Sequence, residues 1–390
     1  MSQSFLPYGR QSITDEDIAA VTEVMRSDFL TTGPQIPAFE TEFSAAVSAP
    51  YGVACNSATS ALHLALDGLG IGPGDACIVP SLTFLATANA ARYCGADIIF
   101  ADVAPGSGLL TADTFSEALT RSGGRAKAVL PVHLGGSVCD MAAISSLARQ
   151  AGLAIVEDSC HALGVVTKSG AVGSCQHSDA ATFSFHPVKT LTSAEGGMVT
   201  TRSKPLAEAM ARRRSHGVER DPDRFYRAEG AREPWWYEQQ ALGWNYRMPD
   251  VLAALGRSQL SRLASTRAKR TALCQAYRSK LAAFSDVIAV PADTGIETPC
   301  RHLMNVQIDF AGVGVERAKL MEGLRALGIG SQVHYIPVHR QPYYRALYGE
   351  LALPGVEAFY ARTLSLPLHT QMDEADIDRV VEGLVAVLGL

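Results

Sequence analysis

Short apolar runs alternate with amphipathic stretches through the first half of the chain. Runs at 53–55, 76–79, 98–102, 126–132, 153–156, 180–183 and 198–201 are too short for helices and read as buried strands. Between them the apolar positions recur at helical spacing. Thr14 is a predicted N-cap with Asp15, Glu16 and Asp17 in the first turn, favourable against the helix dipole, and Ile18, Val21, Val24 and Met25 form the predicted apolar stripe. A second helix passes through Phe39, Phe43 and Val47. A third opens at Asn56-Ser57-Ala58-Thr59-Ser60 and carries Ala61, Leu62, Ala65, Leu66 and Leu69. Further helices are expected over 80–90, with Phe84 in the first turn, and over 141–151. Alternating strands and helices predict an α/β fold whose mostly parallel sheet is covered on both faces. Ligands of such sheets bind beyond the carboxyl ends of the strands.

The second half changes character. Residues 212–247 are rich in charge and aromatics and read as a long, partly mobile excursion. A helix with Leu252, Leu255, Leu260 and Leu263 leads out of the large domain. A strand at 304–308, a helix at 316–327, a strand at 332–335 and a final helix after Asp373 predict a smaller α/β domain. The expected division is a large domain over 1–255 and a small C-terminal domain over 256–390.

Composition narrows the class without deciding it. The 390 residues are 47% hydrophobic and 19% charged, which fits a soluble globular protein, and no apolar run reaches the length of a membrane span. A net charge of -5 gives no support for nucleic acid as a partner. Arg212-Arg213-Arg214 reads as the solvated face of a helix. The first residues lack the basic and apolar regions of a signal peptide. Eight scattered cysteines without a C-x-x-C pair suggest a reduced, cytoplasmic protein, and ten histidines without zinc spacing predict no metal.

Chemistry concentrates at Lys189. The run 180–183 leads into Ser184-Phe185-His186-Pro187-Val188-Lys189, and Pro187 ends the strand because it cannot donate to a ladder. Gly196-Gly197 then frees the backbone before the next strand. An arbitrary lysine in a turn is most often a solvated one, and the neighbours argue for more here. The hydroxylic residues opening the third helix are either caps or an anion site, since free N–H groups and the dipole point at one spot. Asp158, at the end of a strand, is an ordinary cap or ion-pair partner unless it faces Lys189. Phe84 is either core or an aromatic plate. The glycine-rich run 68–75 closes a helix instead of opening one, so it is no dinucleotide loop.

Ser184-Phe185-His186-Pro187-Val188-Lys189, Thr192-Ser193-Ala194-Glu195-Gly196-Gly197, Asp158-Ser159-Cys160-His161-Ala162-Leu163-Gly164 and Gln332-Val333-His334-Tyr335-Ile336-Pro337-Val338-His339 resemble the DegT/DnrJ/EryC1/StrS aminotransferases of nucleotide sugars, over nearly the whole chain. The resemblance implies fold type I of the pyridoxal 5'-phosphate (PLP) enzymes. It implies that Lys189 holds PLP as a Schiff base and moves the proton, and that Asp158 lies under the pyridine nitrogen. Ala58, Thr59 and Ser184 would hold the phosphate, and Phe84 and His161 would lie against the ring. Gly243-Trp244-Asn245-Tyr246-Arg247-Met248 is similar to the segment whose asparagine, here Asn245, reaches the phosphate of the neighbouring subunit, which implies a homodimer with shared active sites. Tyr8, His186 and His334 correspond to positions near the sugar. The implied partners are an amino-acid donor, usually glutamate, and a UDP-linked 4-keto-6-deoxy sugar of the pseudaminic acid type. An aminotransferase acting on another keto sugar or a cyclitol shares every one of these residues. A sugar 3-dehydratase would have histidine in place of Lys189. A silent, binding relic of the fold would need no intact Lys189, Asp158 and Ser184.

Overall fold

A computed structural model describes residues 4–227 and 233–390. Residues 1–3, and residues 228–232 of the 212–247 stretch, lie outside the described residues. The centre is a seven-stranded sheet. Its strands are β1 (Tyr51–Cys55), β2 (Ala76–Pro80), β3 (Asp97–Ala101), β4 (Ala126–Val129), β5 (Ala154–Asp158), β6 (Ala180–Ser184) and β7 (Gly197–Thr201). They stand in the order β1-β7-β6-β5-β4-β2-β3. Only β7 runs against its neighbours, pairing antiparallel with both β1 and β6. The remaining pairs are parallel, which places the ends of β5 and β6 side by side. Asp158 and the chain leading to Lys189 therefore emerge at one edge.

The strands are short and almost wholly buried because helices cover both faces. One face packs β2 and β5 against α3 (Ala58–Gly68) and α4 (Leu85–Tyr93), with Leu62, Leu66, Val79 and Val156 in a common core. The other packs Phe115, Ile144, Val129 and Ile155 under α5 (Ala112–Arg121) and α6 (Met141–Gln150). A third cluster joins Phe39 and Phe43 of α2 (Gln35–Ala46) to Phe183 and Phe185 at the end of β6, with edge-on aromatic pairs 5.0–5.4 Å apart. That aromatic cluster braces the floor of the lysine turn.

The C-terminal part builds a second core around the antiparallel pair Met304–Ile308 and Thr363–Leu366 and the helix Glu374–Leu388, which Asp373 caps. Leu6, far away in sequence, belongs to this core, and its amide donates to the Gly328 carbonyl. Residues 338–359 return to the first core through Val338, Tyr344, Val356 and Phe359.

Four expectations need correction. The helix α1 (Asp15–Met25) has its predicted cap, but Ile18 and Met25 lie exposed and only Val24 of the stripe is buried. A fully buried carboxylate anchors the helix instead: Asp17 accepts hydrogen bonds from Ser258, Gln259 and Arg262. Phe84 is not in the first turn of α4 but is its N-cap, with extended backbone. Residues 332–335 form no strand. Gln332 alone pairs with Ser365, after which His334 and Tyr335 spend their hydrogen bonds on side chains. The arginine run is not a solvated face. Helix α7 (Lys204–Arg213) runs into it, Arg213 pairs with Asp67, Arg212 with Glu219, and Arg214 with Glu40 and the Ala54 carbonyl. The excursion after it includes a two-residue ladder, 218–219 against 238–239.

Glu40 also accepts from the Ala54 amide at 2.8 Å, so this pair closes the edge of β1. Arg214→Ala leaves Glu40 and the Ala54 carbonyl without their charged donor. The expected loss is ~1.5–3 kcal/mol of stability, read as a lower urea midpoint with an unchanged slope. An unchanged midpoint would show that the clamp is idle.

Candidate active site

The edge of the sheet opens into a cavity of about 890 Å3. Asp158, Lys189, Ser57, Ala58, Thr59, Phe84, His161, Ser184, His186, Tyr8, His302, His334 and Tyr335 all line it. Every sequence-predicted site residue except Asn245 is thus in one place. Asn245 is exposed, pairs with Ser215 and does not line the cavity, although its carbonyl accepts from Asn56 of the cavity rim at 3.5 Å. A second cavity of about 790 Å3 lies behind the sheet, where Glu157 points because neighbouring strand residues alternate faces. Asp158 and Lys189 do not line it.

Lys189 sits in a turn that the backbone closes tightly. Its amide donates to the His186 carbonyl at 2.9 Å, and the Phe185 amide to the Gly196 carbonyl at 2.9 Å. Burial pushes the ammonium below its usual range, against the attraction of nearby Cys160 and Asp158. A larger share of the amine is then free to attack a carbonyl.

Asp158 is buried at the end of β5. Thr87 donates to its Oδ2 at 2.7 Å, and the Cys160 amide to its Oδ1 at 3.2 Å. No lysine, arginine or histidine among the described residues forms an ion pair with it, so acceptor capacity remains on the cavity side.

Helix α3 starts at the opposite wall. Ser57 caps it by accepting from the Ser60 amide at 3.1 Å, which leaves the first amides, those of Ala58 and Thr59, outside the helical ladder. Gly197 of β7 makes this turn possible. A Cβ there would stand 2.4 Å from the Ser57 carbonyl oxygen and 2.7 Å from the Ala58 nitrogen. Such a turn can hold an anion.

Sequence reasoning did not single out His302 and Tyr335, which complete the walls, or Thr87, which lies buried behind Asp158. Thr87 had a signal, because it lies in the first turn of a helix that leads away from the cavity end of β2. Tyr335 lies inside a segment whose resemblance was noted, but only its neighbour His334 was picked out. The Gly135 amide donates to His161 Nδ1 at 3.2 Å, so the proton of the neutral ring is on Nε2, which donates to the Tyr335 hydroxyl at 3.0 Å. The Tyr335 proton is thereby left for another acceptor. His302 packs on His161 with ring centres 4.6 Å apart, and its buried Nδ1 has no partner among the described residues. Phe84 is 56% exposed at the mouth, 5.9 Å from the Tyr335 ring.

The sequence profile of the DegT/DnrJ/EryC1/StrS aminotransferase family matches residues 11–385. The chain belongs to this family. It is 38% identical to the spore coat polysaccharide biosynthesis protein SpsC of Bacillus subtilis, covering 97% of this chain and 96% of that one. It superposes on the PLP form of a putative sugar aminotransferase, Spr1654, of Streptococcus pneumoniae (29% identity, TM-score 0.89, 99% of each chain). It also superposes on Helicobacter pylori PseC, an aminotransferase involved in pseudaminic acid biosynthesis (26% identity, TM-score 0.90, 99% of this chain and 100% of that one). The chain is therefore a PLP-dependent sugar aminotransferase of fold type I. Its cavity fits that cofactor. It offers a buried amine of lowered basicity for an aldehyde, an open helix start for a phosphate, and a buried carboxylate with spare acceptor capacity for a protonated ring nitrogen.

Three buried imidazoles of the walls stay neutral. Burial lowers His161 and His302 well below their usual range, and repulsion from the Lys189 cation adds to it. Burial and the same cation bring His334 to about 4, while its Nδ1 bonds Ser365 at 2.8 Å. The unfolded chain takes up this proton below about pH 6.5, the folded chain only near 4. His334 thus destabilises the protein progressively as pH falls through that window, and has no such effect above it. In cofactor-free protein the unfolding free energy should drop between pH 6.5 and 4, by up to ~3 kcal/mol from this group. His334→Asn should flatten the slope. An identical slope in the variant would show that the burial of His334 does not govern it.

Proposed function

We propose that the protein transfers an amino group from L-glutamate to the C4 ketone of a UDP-linked 4-keto-6-deoxy-N-acetylhexosamine, giving the 4-amino sugar and 2-oxoglutarate. The observation carrying this reading is the composition of the cavity. One reactive amine faces one buried carboxylate, inside walls of hydroxyl and imidazole groups from Tyr8, His186, His334 and Tyr335. Such groups donate and accept hydrogen bonds and so suit sugar hydroxyls and carbonyls. The likeness to PseC over the whole chain supports the pseudaminic acid type of sugar. The 38% identity to SpsC keeps an aminotransferase of another surface-polysaccharide sugar as the second reading.

Bound PLP supplies an electron sink that stabilises the negative charge left when a substrate carbon loses its proton. The residues divide the remaining work. Lys189, once displaced by an amine, is the base that takes the proton from the substrate carbon and returns it elsewhere, a transfer that typically contributes ~10²–10⁴-fold. Asp158 would accept the hydrogen bond of a protonated ring nitrogen. The Ala58 and Thr59 amides and the Ser184 hydroxyl would hold the phosphate. Phe84 and His161, which line the cavity, would pack against the ring. Asn245, exposed and outside its own cavity, is assigned to the phosphate site of a second copy, in a homodimer that completes two shared sites. The protein is assigned to the cytoplasm.

Purified protein should show a cofactor absorbance that shifts to the pyridoxamine form with L-glutamate and shifts back with the UDP-4-keto sugar. A 4-amino product identified by NMR fixes the position. A 3-amino product, or turnover only with another nucleotide, would replace the substrate assignment and leave the residue roles standing. Lys189→Ala should fold, by circular dichroism, and lose turnover in both half-reactions. Parent-like rates in this variant would refute the role of the lysine.

A further inference from the structure

Asp158 depends for its position on a chain of hydroxyls at the start of α4, from Thr83 just before its N-cap to Thr87 in its first turn. Thr83 and Thr87 are 1% and 0% exposed, and their Oγ1 atoms are 2.8 Å apart. Each has one proton. Thr87 gives its proton to Asp158 Oδ2 at 2.7 Å, so the bond between the two threonines must run from Thr83 to Thr87. The direction of the pair is therefore fixed: Thr83 to Thr87 to Asp158. The Cys160 amide holds the other carboxylate oxygen. With the carboxylate pinned at both oxygens, rotation about its last bond is lost, and its remaining acceptor positions face the cavity. The same five residues carry Phe84 at the mouth, so one short segment sets both an aromatic wall and the carboxylate.

We propose that Thr87, supported by Thr83, is a positioning residue that aims Asp158 at the ring nitrogen of PLP. This rests on the assignment of Asp158 given above, which the test examines separately. Without the chain, a buried carboxylate could turn toward its own backbone amides or draw water, and the cofactor would lose an oriented partner. A hydrogen bond to a charged group of this kind is worth enough to change affinity ~10- to 100-fold when it is lost. Thr87 lies behind the cavity lining, so its effect should appear in cofactor affinity and geometry.

The experiment is titration of the cofactor-free protein with PLP, followed by tryptophan fluorescence, together with visible circular dichroism of the bound cofactor. Thr87→Val keeps the shape and removes the donor. It should weaken PLP about 10- to 100-fold and alter the visible dichroism. Thr87→Ser should restore both toward the parent, and Thr83→Val should show a smaller loss than Thr87→Val. In the Asp158→Asn background, Thr87→Val should add little, because linked groups are not additive. Parent-like affinity and dichroism in Thr87→Val, or full additivity with Asp158→Asn, would overturn the proposal. If Asp158→Asn itself binds PLP like the parent, the assignment of Asp158 falls, and the chain falls with it. Should Thr87→Val fail to fold, Thr83→Val decides alone: parent-like affinity and dichroism there refute the chain.

Discussion

An amine and a carboxylate share one desolvated cavity without forming an ion pair. This constraint shapes the rest of the site. Burying opposite charges normally ends in a contact between them, since removing either from water is costly. Contact here would fill the space a ligand needs. The fold keeps them apart by anchoring each to a different support. Asp158 is held from behind by Thr87 and the Cys160 amide, at the end of a parallel strand. Lys189 is held in the turn between β6 and the antiparallel β7, braced from below by Phe185 against Phe39 and Phe43. The one strand that runs backwards in the sheet is what returns the chain after Lys189. It also brings Gly197 against the start of α3, so the same strand spaces the amine from the anion-binding turn.

Much of this was legible because it is local. Strands β1 to β7 are short apolar runs, and the sheet followed from their alternation with helices. Lys189 stood out because Pro187 and Gly196-Gly197 bracket it, and Ser57 to Ser60 because capping residues precede an apolar helix. Where sequence reading failed, a tertiary partner had replaced a local rule. Ile18 and Met25 have helical spacing, but α1 is anchored by Asp17 reaching α8 (Asp250–Ser261) over 200 residues away. Arg212 to Arg214 look solvated until their carboxylate partners are known. Residues 332–335 have strand composition, yet Tyr335 turns to His161 and His334 to Ser365. None of these pairings leaves a trace in spacing along the chain.

The walls contributed by the other core follow the same logic. Tyr8, His302, His334 and Tyr335 come from segments that the large sheet does not contain. They reach the cavity because Leu6 anchors the lead-in to the C-terminal core and because Val338 to Phe359 fold back on the first one. Ser81 fixes the returning segment, its hydroxyl 2.7 Å from His339 Nδ1 and its carbonyl accepting from the Val338 amide. The chemistry at the sheet edge and the recognition surface over it are thus set by different parts of the chain. Changes in the second can alter which substrate enters while Lys189 and Asp158 stay fixed.

The three imidazoles explain why such a wall is compatible with the amine it encloses. A charged histidine beside Lys189 would hold the amine's own proton less tightly, but it would also bring a second buried cation and repel an ammonium donor. Neutral rings avoid that cost. Burial keeps His161, His302 and His334 uncharged at neutral pH, and the Gly135 amide fixes which nitrogen of His161 carries hydrogen. Each ring then presents a defined donor or acceptor instead of a charge. Lys189 is left as the cavity's cation, and its own burial favours the neutral, nucleophilic form. A wall of this kind discriminates by hydrogen-bond direction, which suits a ligand made of hydroxyls and a carbonyl better than one made of charges.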